Sequence, residues 1–275
     1  MNKLNTDKQS QVIASLVEGN SIRATCRITG VAKGTVLKLL AEVGTVCSEY
    51  QDRMFRNLTC KRIQCDEIWS FCYAKEKNVP KGKKGKFGYG DIWTFTAICA
   101  DTKLVPSWYI GRRDLECATI FLSDLASRLT SRVQLTTDGH AMYLEAVEAA
   151  FGKDIDFSQL IKLYGQTPEG QKRYSPPQCI GTIRNKIMGD PDARHVSTSF
   201  IERNNLTMRM NMRRFTRLTN GFSKKIENLN HAVALHFMYY NFCRIHQSLR
   251  VTPAMAAKVT DHAWEIGEIL SLLAH

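Results

Sequence analysis

Three acidic residues and one arginine have the types and the spacing to do chemistry together. Asp66 lies inside an apolar segment, Gln64-Cys65-Asp66-Glu67-Ile68-Trp69. A carboxylate inside an apolar strand is costly unless something compensates it. Asp138 sits at the C-terminal end of a predicted strand, in Thr136-Thr137-Asp138-Gly139-His140. Glu202 comes early in a helical segment, Ser199-Phe200-Ile201-Glu202-Arg203-Asn204-Asn205. Converging carboxylates repel one another, and a divalent cation reverses that. Mg²⁺ (or Mn²⁺) suits such a set, because it takes a few carboxylate oxygens and keeps positions open for water and phosphate. Two such ions about 3.5–4 Å apart can activate an attacking oxygen and stabilise a leaving one. Glu67 is the alternative to Asp66, on the opposite face of the same strand. Arg209 follows Glu202 by nearly two helical turns, so the two share a face. A cation there could hold a phosphate beside the metals. Taken singly, each acid reads as readily as an unrelated surface charge.

Positioning these groups needs an ordered framework. Residues 63–71, Ile92–Ala100 and Leu104–Ile110 read as three strands of an antiparallel meander. Ala118–Leu129 reads as a helix, Val133–Thr137 as a strand and Ala141–Ala150 as a helix, giving the order β-β-β-α-β-α. Residues 152–197 carry Pro168, Pro176, Pro177 and Pro191. They read as irregular, with a possible hairpin at Ile180–Met188. Residues 198–217 and 223–243 read as helices. Ile201, Met208, Met212 and Phe215 form the apolar face of the first of these. His231 and His236, on the apolar second, read as structural. His140 and His246 are open candidates for a role at the site.

The N-terminal segment reads as three short helices. Thr6 with Gln9 has the pattern of a capping box. Ser21 caps a second helix that stops at Gly30. A third begins near Ala32, and residues 45–60 read as a linker or a short helix. The tight Thr29-Gly30-Val31 turn fits a helix-turn-helix. Its third helix would present Lys33, Thr35 and Lys38 to a major groove, with Arg23 and Arg27 near phosphates. A plain three-helix packing module is the simpler alternative.

The 275 residues carry 38 Lys and Arg against 26 Asp and Glu, a net charge of +12. The excess is concentrated in residues 51–90 and 196–275, and a near-neutral stretch separates them. Clustered cations displace counterions from phosphates, so double-stranded DNA is the expected partner. Arg213 and Arg214 extend the basic surface beyond Arg209. A lysine- and glycine-rich loop, Lys75 to Lys86, could touch DNA backbone or simply be solvated. The nine cysteines include no C-x-x-C pair, and Cys60, Cys65 and Cys72 have the wrong spacing for a common zinc knuckle. They look like reduced cytosolic cysteines. No run has the roughly 18–20 apolar residues of a membrane span, and the start lacks a secretion-signal core. A cytoplasmic, nucleoid-associated protein is expected.

The element order, with acids on the first strand, after the fourth strand and on a late helix, resembles a ribonuclease H-like DDE domain. Asp66-Glu67-Ile68-Trp69, Thr137-Asp138-Gly139 and Ile201-Glu202-Arg203-Asn204-Asn205-Leu206 running to Arg209 resemble segments of insertion-sequence transposases, specifically the insertion-sequence-one family. Gly221-Phe222-Ser223-Lys224-Lys225 matches a further stretch of that family. The resemblance covers roughly residues 60–250. It implies a mixed-sheet catalytic domain at 60–250, with an irregular insertion at about 152–197; with the small all-α helix-turn-helix domain (1–50) before it and a C-terminal helix at 251–275 after it, the expected fold class is α/β. The resemblance also implies Asp66, Asp138 and Glu202 as ligands of two Mg²⁺ or Mn²⁺ ions, with Arg209 as the accompanying cation. The implied activity is transposition: cleavage at element ends, strand transfer into target DNA, and assembly as a homodimer or higher oligomer on DNA. The family's N-terminal cysteine zinc motif is missing here, so end recognition would rest on the helix-turn-helix alone. A domesticated or inactive DNA-binding regulator and a metal-dependent nuclease without joining are the alternatives.

Overall fold

The computed structural model describes residues 4–165, 178–217 and 219–274. At its centre is a six-stranded mixed sheet of order β3-β2-β1-β4-β5-β6. β1 (Arg62–Cys72), β2 (Gly90–Cys99) and β3 (Ser107–Gly111) form the expected antiparallel meander. β4 (Gln134–Asp138) lies parallel beside β1. β5 (Asp156–Tyr164) lies parallel beside β4, and β6 (Cys179–Met188) returns antiparallel along the edge.

The described parts of residues 152–197 are therefore not irregular: they supply two full strands. β5 was hidden because its buried positions include the polar Ser158 and Gln159. The strand satisfies its backbone on both neighbours, so it needs no apolar alternation to form. The expected hairpin near 180–188 is the second of these strands. Pro168, Pro176 and Pro177 lie outside the described residues.

Period-two alternation sorts β1 onto two layers. Ile63 and Cys65 join the core beneath α4 (Leu115–Arg128) and α5 (Met142–Phe151), with Phe121, Leu135 and Tyr143. Ile68 and Cys72 join the core beneath α6 (Ser199–Asn211) and α7 (Ile226–Met238), with Ile201, Met208 and Phe237. α4 and α5 link strands that run parallel, as crossover helices must.

The first three helices are α1 (Thr6–Val17), α2 (Ile22–Thr29) and α3 (Lys33–Met54). The capping residue of α1 is Asn5, whose Oδ1 accepts from the Lys8 amide at 2.9 Å. Thr6 is already helical, so the expected Thr6–Gln9 box does not form. Ser21 does cap α2, accepting from the Ala24 amide at 3.1 Å, and Gly30 ends it at φ +72°. α3 does not stop near residue 44; it runs 22 residues. Gly44 is a place of close approach: a Cβ there would sit 2.5 Å from the Cβ of His231 on α7. Val36, Leu40 and Cys47 of α3 belong to the same apolar core as Leu235, Met238 and the sheet residues above. Residues 251–275 hold two short helices rather than one, α8 (Pro253–Ala256) and α9 (Ile266–Ser271).

Candidate active site

Gln64 pairs with Thr136 across the parallel β1–β4 ladder. Two residues further on, Asp66 and Asp138 therefore stand side by side on the same sheet face. Asp66 Oδ1 accepts from the Glu67 amide at 2.8 Å, and Oδ2 accepts from the Asn205 side chain at 2.8 Å. Asp138 Oδ1 accepts from the His140 amide at 3.0 Å. His140 thus meets the site through its backbone, while its ring Nδ1 accepts from the Met142 amide. Burial, then the charges of Glu67, Asp138 and Glu202, push the Asp66 carboxyl up to about 7. That is the response expected of a carboxylate held among its own kind.

Glu202 stands at the rim. The Lys162 ammonium of β5 reaches both of its carboxylate oxygens at 2.5 Å, and Thr198 Oγ1 donates to it at 2.5 Å. The tight group, with one oxygen from each residue within 4.8 Å of the others, is Asp66, Glu67 and Asp138. Asp66 and Asp138 are brought together as expected, Glu202 is near but salt-bridged, and Glu67 is closer than the sequence implied. The donors are hard oxygens, which fit Mg²⁺ or Mn²⁺ better than a thiophilic metal.

Glu67 has partners of its own. Its side chain is fully buried on the α5 side. The Tyr143 hydroxyl donates to it at 2.7 Å, and Arg113 Nε donates at 2.5 Å. Arg113 Nη2 then reaches Asp138 Oδ2 at 3.8 Å, with its guanidinium 4.6 Å from the Trp93 ring centre. Sequence reasoning missed Arg113. It lies in a turn after β3, where nothing but the fold brings it to the acids.

Arg209 is half-buried and donates to the Phe215 carbonyl at 3.4 Å. Burial lowers its pKa, and the charge of Asp66 acts in the opposite sense. Arg23, Arg27 and Lys33 are exposed, and Thr35 is half-buried. Lys38 is exposed and pairs with Glu42 at 3.6 Å. Arg213 is exposed. Arg214 departs from the expected basic surface. Its Nη1 donates to Ser223 Oγ at 2.8 Å, while Nη2 is sealed from solvent with no hydrogen-bond partner among the described residues. In the lysine-rich loop, Lys83 sits 4.2 and 4.8 Å from the ring centres of Tyr73 and Tyr89.

No helix among the described residues is long and apolar enough to cross a membrane. No family model matches the sequence, and no curated protein matches it. Among solved structures, the chain is similar to a piggyBac transposase synaptic complex with hairpin DNA, at 12% identity and a TM-score of 0.43, over 99% of this chain and 71% of that one. It is also similar to a pre-cleavage Mos1 transpososome, at 9% identity and a TM-score of 0.23, over 57% of this chain and 60% of that one. At these scores neither likeness carries weight; the strand order and the side chains do.

Proposed function

We propose that this chain is a DDE-type transposase of the insertion-sequence-one kind. In this reading a ribonuclease H-like domain cuts DNA at element ends and joins them to target DNA, and residues 1–50 act as a helix-turn-helix that grips those ends. The observation that carries the reading is the closeness of Asp66 and Asp138 on neighbouring parallel strands, with the charge of Glu202 reaching Asp66 from α6. The meander followed by two parallel strands supports the ribonuclease H-like assignment. Asp66, Asp138 and Glu202 would hold the two divalent cations. When bound, such ions supply an activated attacking oxygen and charge neutralisation at the phosphate.

The protein's own groups do the positioning. Asn205 orients Asp66, Arg113 sits between Glu67 and Asp138, and Lys162 holds Glu202 at the rim. Arg209, seven residues along α6, stands where it could bind a phosphate near Asp66. Arg23, Arg27, Lys33, Thr35, Lys38 and Arg213 would meet double-stranded DNA. Synapsis of two ends calls for a dimer or a larger assembly, and action on chromosomal DNA places the protein at the nucleoid.

The test is incubation with Mg²⁺ and DNA carrying the gene's own flanking sequences, beside Asp138→Asn. Cleavage and joining by the wild type alone would support a transposase. Cut but unjoined ends would mean a nuclease, and shifted, uncut DNA a regulator.

A further inference from the structure

A cleft of about 640 Å³ opens where the N-terminal helices meet the far end of α6 and the start of α7. Its size is that of a site for a small organic group. No carboxylate lines it among the described residues, whereas Arg23, Lys33, Arg213, Arg214 and Lys224 do. The lining is nevertheless more apolar than polar, with Leu37, Phe222 and Ala232 contributing. Asn20 and Asn228 add amides that can both donate and accept.

Two buried groups in this wall lack partners. Arg214 Nη2 and His236 Nε2 are sealed from solvent and make no hydrogen bond among the described residues. Among the described residues Arg214 has no acidic partner, and its one hydrogen bond is to Ser223 Oγ. A buried guanidinium without a counter-charge is costly by itself, and an anion in the cleft would offset that cost. The Phe222 ring is tilted against Phe71 at 4.5 Å and has the Lys224 ammonium 3.2 Å from its centre, so a base stacking there would displace that ammonium toward its own phosphate. Cations beside apolar and aromatic surface fit a phosphate joined to a flat base, and fit a bare anion or a plain hydrophobe poorly.

We propose that this cleft receives a single unpaired nucleotide of a bound DNA strand, its base against Phe222, Leu37 and Ala232 and its phosphate against Arg213 and Lys224, with the uncompensated charge of buried Arg214 behind them. The proposal rests on the DNA-processing function above and adds a subsite to it. Asn211, on the cleft wall, is nine residues along α6 from Glu202. That is about 14 Å of axial rise, with the two side chains on opposite sides of the helix, so a strand between them would span at least about four nucleotide steps at duplex spacing. The nucleotide held there would lie a few positions from the bond being cut. The site would therefore register strand opening next to the cut, rather than sequence in an intact duplex.

The experiment compares the affinity of the full chain for a duplex and for the same duplex with one unpaired thymine. The expected result is about tenfold tighter binding of the bulged duplex, the scale of one stacked base. Ala232→Phe fills the cleft, and Asn228→Asp places a carboxylate in it without changing its shape. Each should bring the ratio of affinities to about one, and Asn228→Asp keeps the test open if Ala232→Phe fails to fold. Equal affinity in the wild type, or a ratio that survives both substitutions, overturns the subsite. Binding of free deoxythymidine monophosphate with equal affinity for the two duplexes overturns its strand-borne form. Absence of any DNA binding overturns the function itself, a result distinct from equal binding of both duplexes.

Discussion

The side-chain amide of Asn205 donates to Asp66 Oδ2 at 2.8 Å and ties α6 to the central strand of the sheet. Asn205 follows Glu202 by one turn, so the helix that carries one acid is latched to another. Groups that orient metal ligands typically change metal affinity or activity by about 10–100-fold when removed. Asn205→Leu should therefore lower cleavage by that amount at limiting Mg²⁺ while DNA binding persists. A Mg²⁺ titration of cleavage rate reads the effect, and an unchanged curve would mean that the latch is only structural.

Asp66 gives the metal-free protein a distinctive pH response. Its folded pKa of about 7 lies above its ordinary value of 3.8. The unfolded chain thus releases the proton first, and this group's contribution to stability falls as pH rises from about 4 to about 7. Thermal melts in chelator should show this loss. Asp66→Asn should remove it and melt higher than the wild type at neutral pH, yet be inactive. If Asp66→Asn melts lower at neutral pH, the crowding of carboxylates around this residue is disproved.

Glu67 and Asp66 are adjacent, yet their losses should differ in kind. Asp66→Asn should stop the chemistry. Glu67→Gln leaves Arg113 without its buried counter-charge, and losing one partner of a buried pair costs about 3–5 kcal/mol. Arg113 is a third exposed, which reduces the cost to about 1–3 kcal/mol. Urea unfolding measures it, and residual cleavage should remain in the folded fraction.

The Lys162 contact with Glu202 opposes metal binding, because the ammonium occupies the carboxylate that a cation would use. Lys162→Met should lower the Mg²⁺ concentration for half-maximal cleavage by up to about fivefold, the ceiling for a partly exposed pair. A higher requirement would show instead that Lys162 helps to hold Glu202 in place for the ion.

Gly44 leaves no room for a side chain beside the backbone and Cβ of His231. Gly44→Ala should destabilise the fold by about 1–3 kcal/mol, the usual range for overpacking. A wild-type melting temperature in this variant would mean that α3 and α7 do not meet as closely as described.

Much of the site was legible because its signals are local. An acid in an apolar strand, Asp-Gly at a strand end and an acid seven residues before an arginine can all be read in single segments. The structure puts Asp66 beside Asp138 in keeping with that reading. Arg113 and Lys162 could not be read, since each reaches the acids only through the sheet's strand order. The prominence of Glu67 was half-legible: alternation says that it faces away from Asp66, but only packing shows Tyr143 and Arg113 waiting there. β5 was missed, and β6 was read only as a possible hairpin, for opposite reasons. β5 buries polar residues, and β6 exposes apolar ones such as Ile180 and Ile183. α3 was read as too short, because the close approach of Gly44 to His231 leaves no trace in the sequence.

The shared wall between α3 and α7 has a consequence for protein engineering. Gly44 against His231, with Val36, Leu40 and Cys47 in one apolar mass with Leu235 and Met238, leaves no clean seam at residue 50. The first helices are thus not an interchangeable cartridge. A chimera that swaps them to retarget the protein would have to carry the facing side of α7 along with them. A truncation at residue 50 would lay bare a greasy flank and clump rather than release an independently folding remainder.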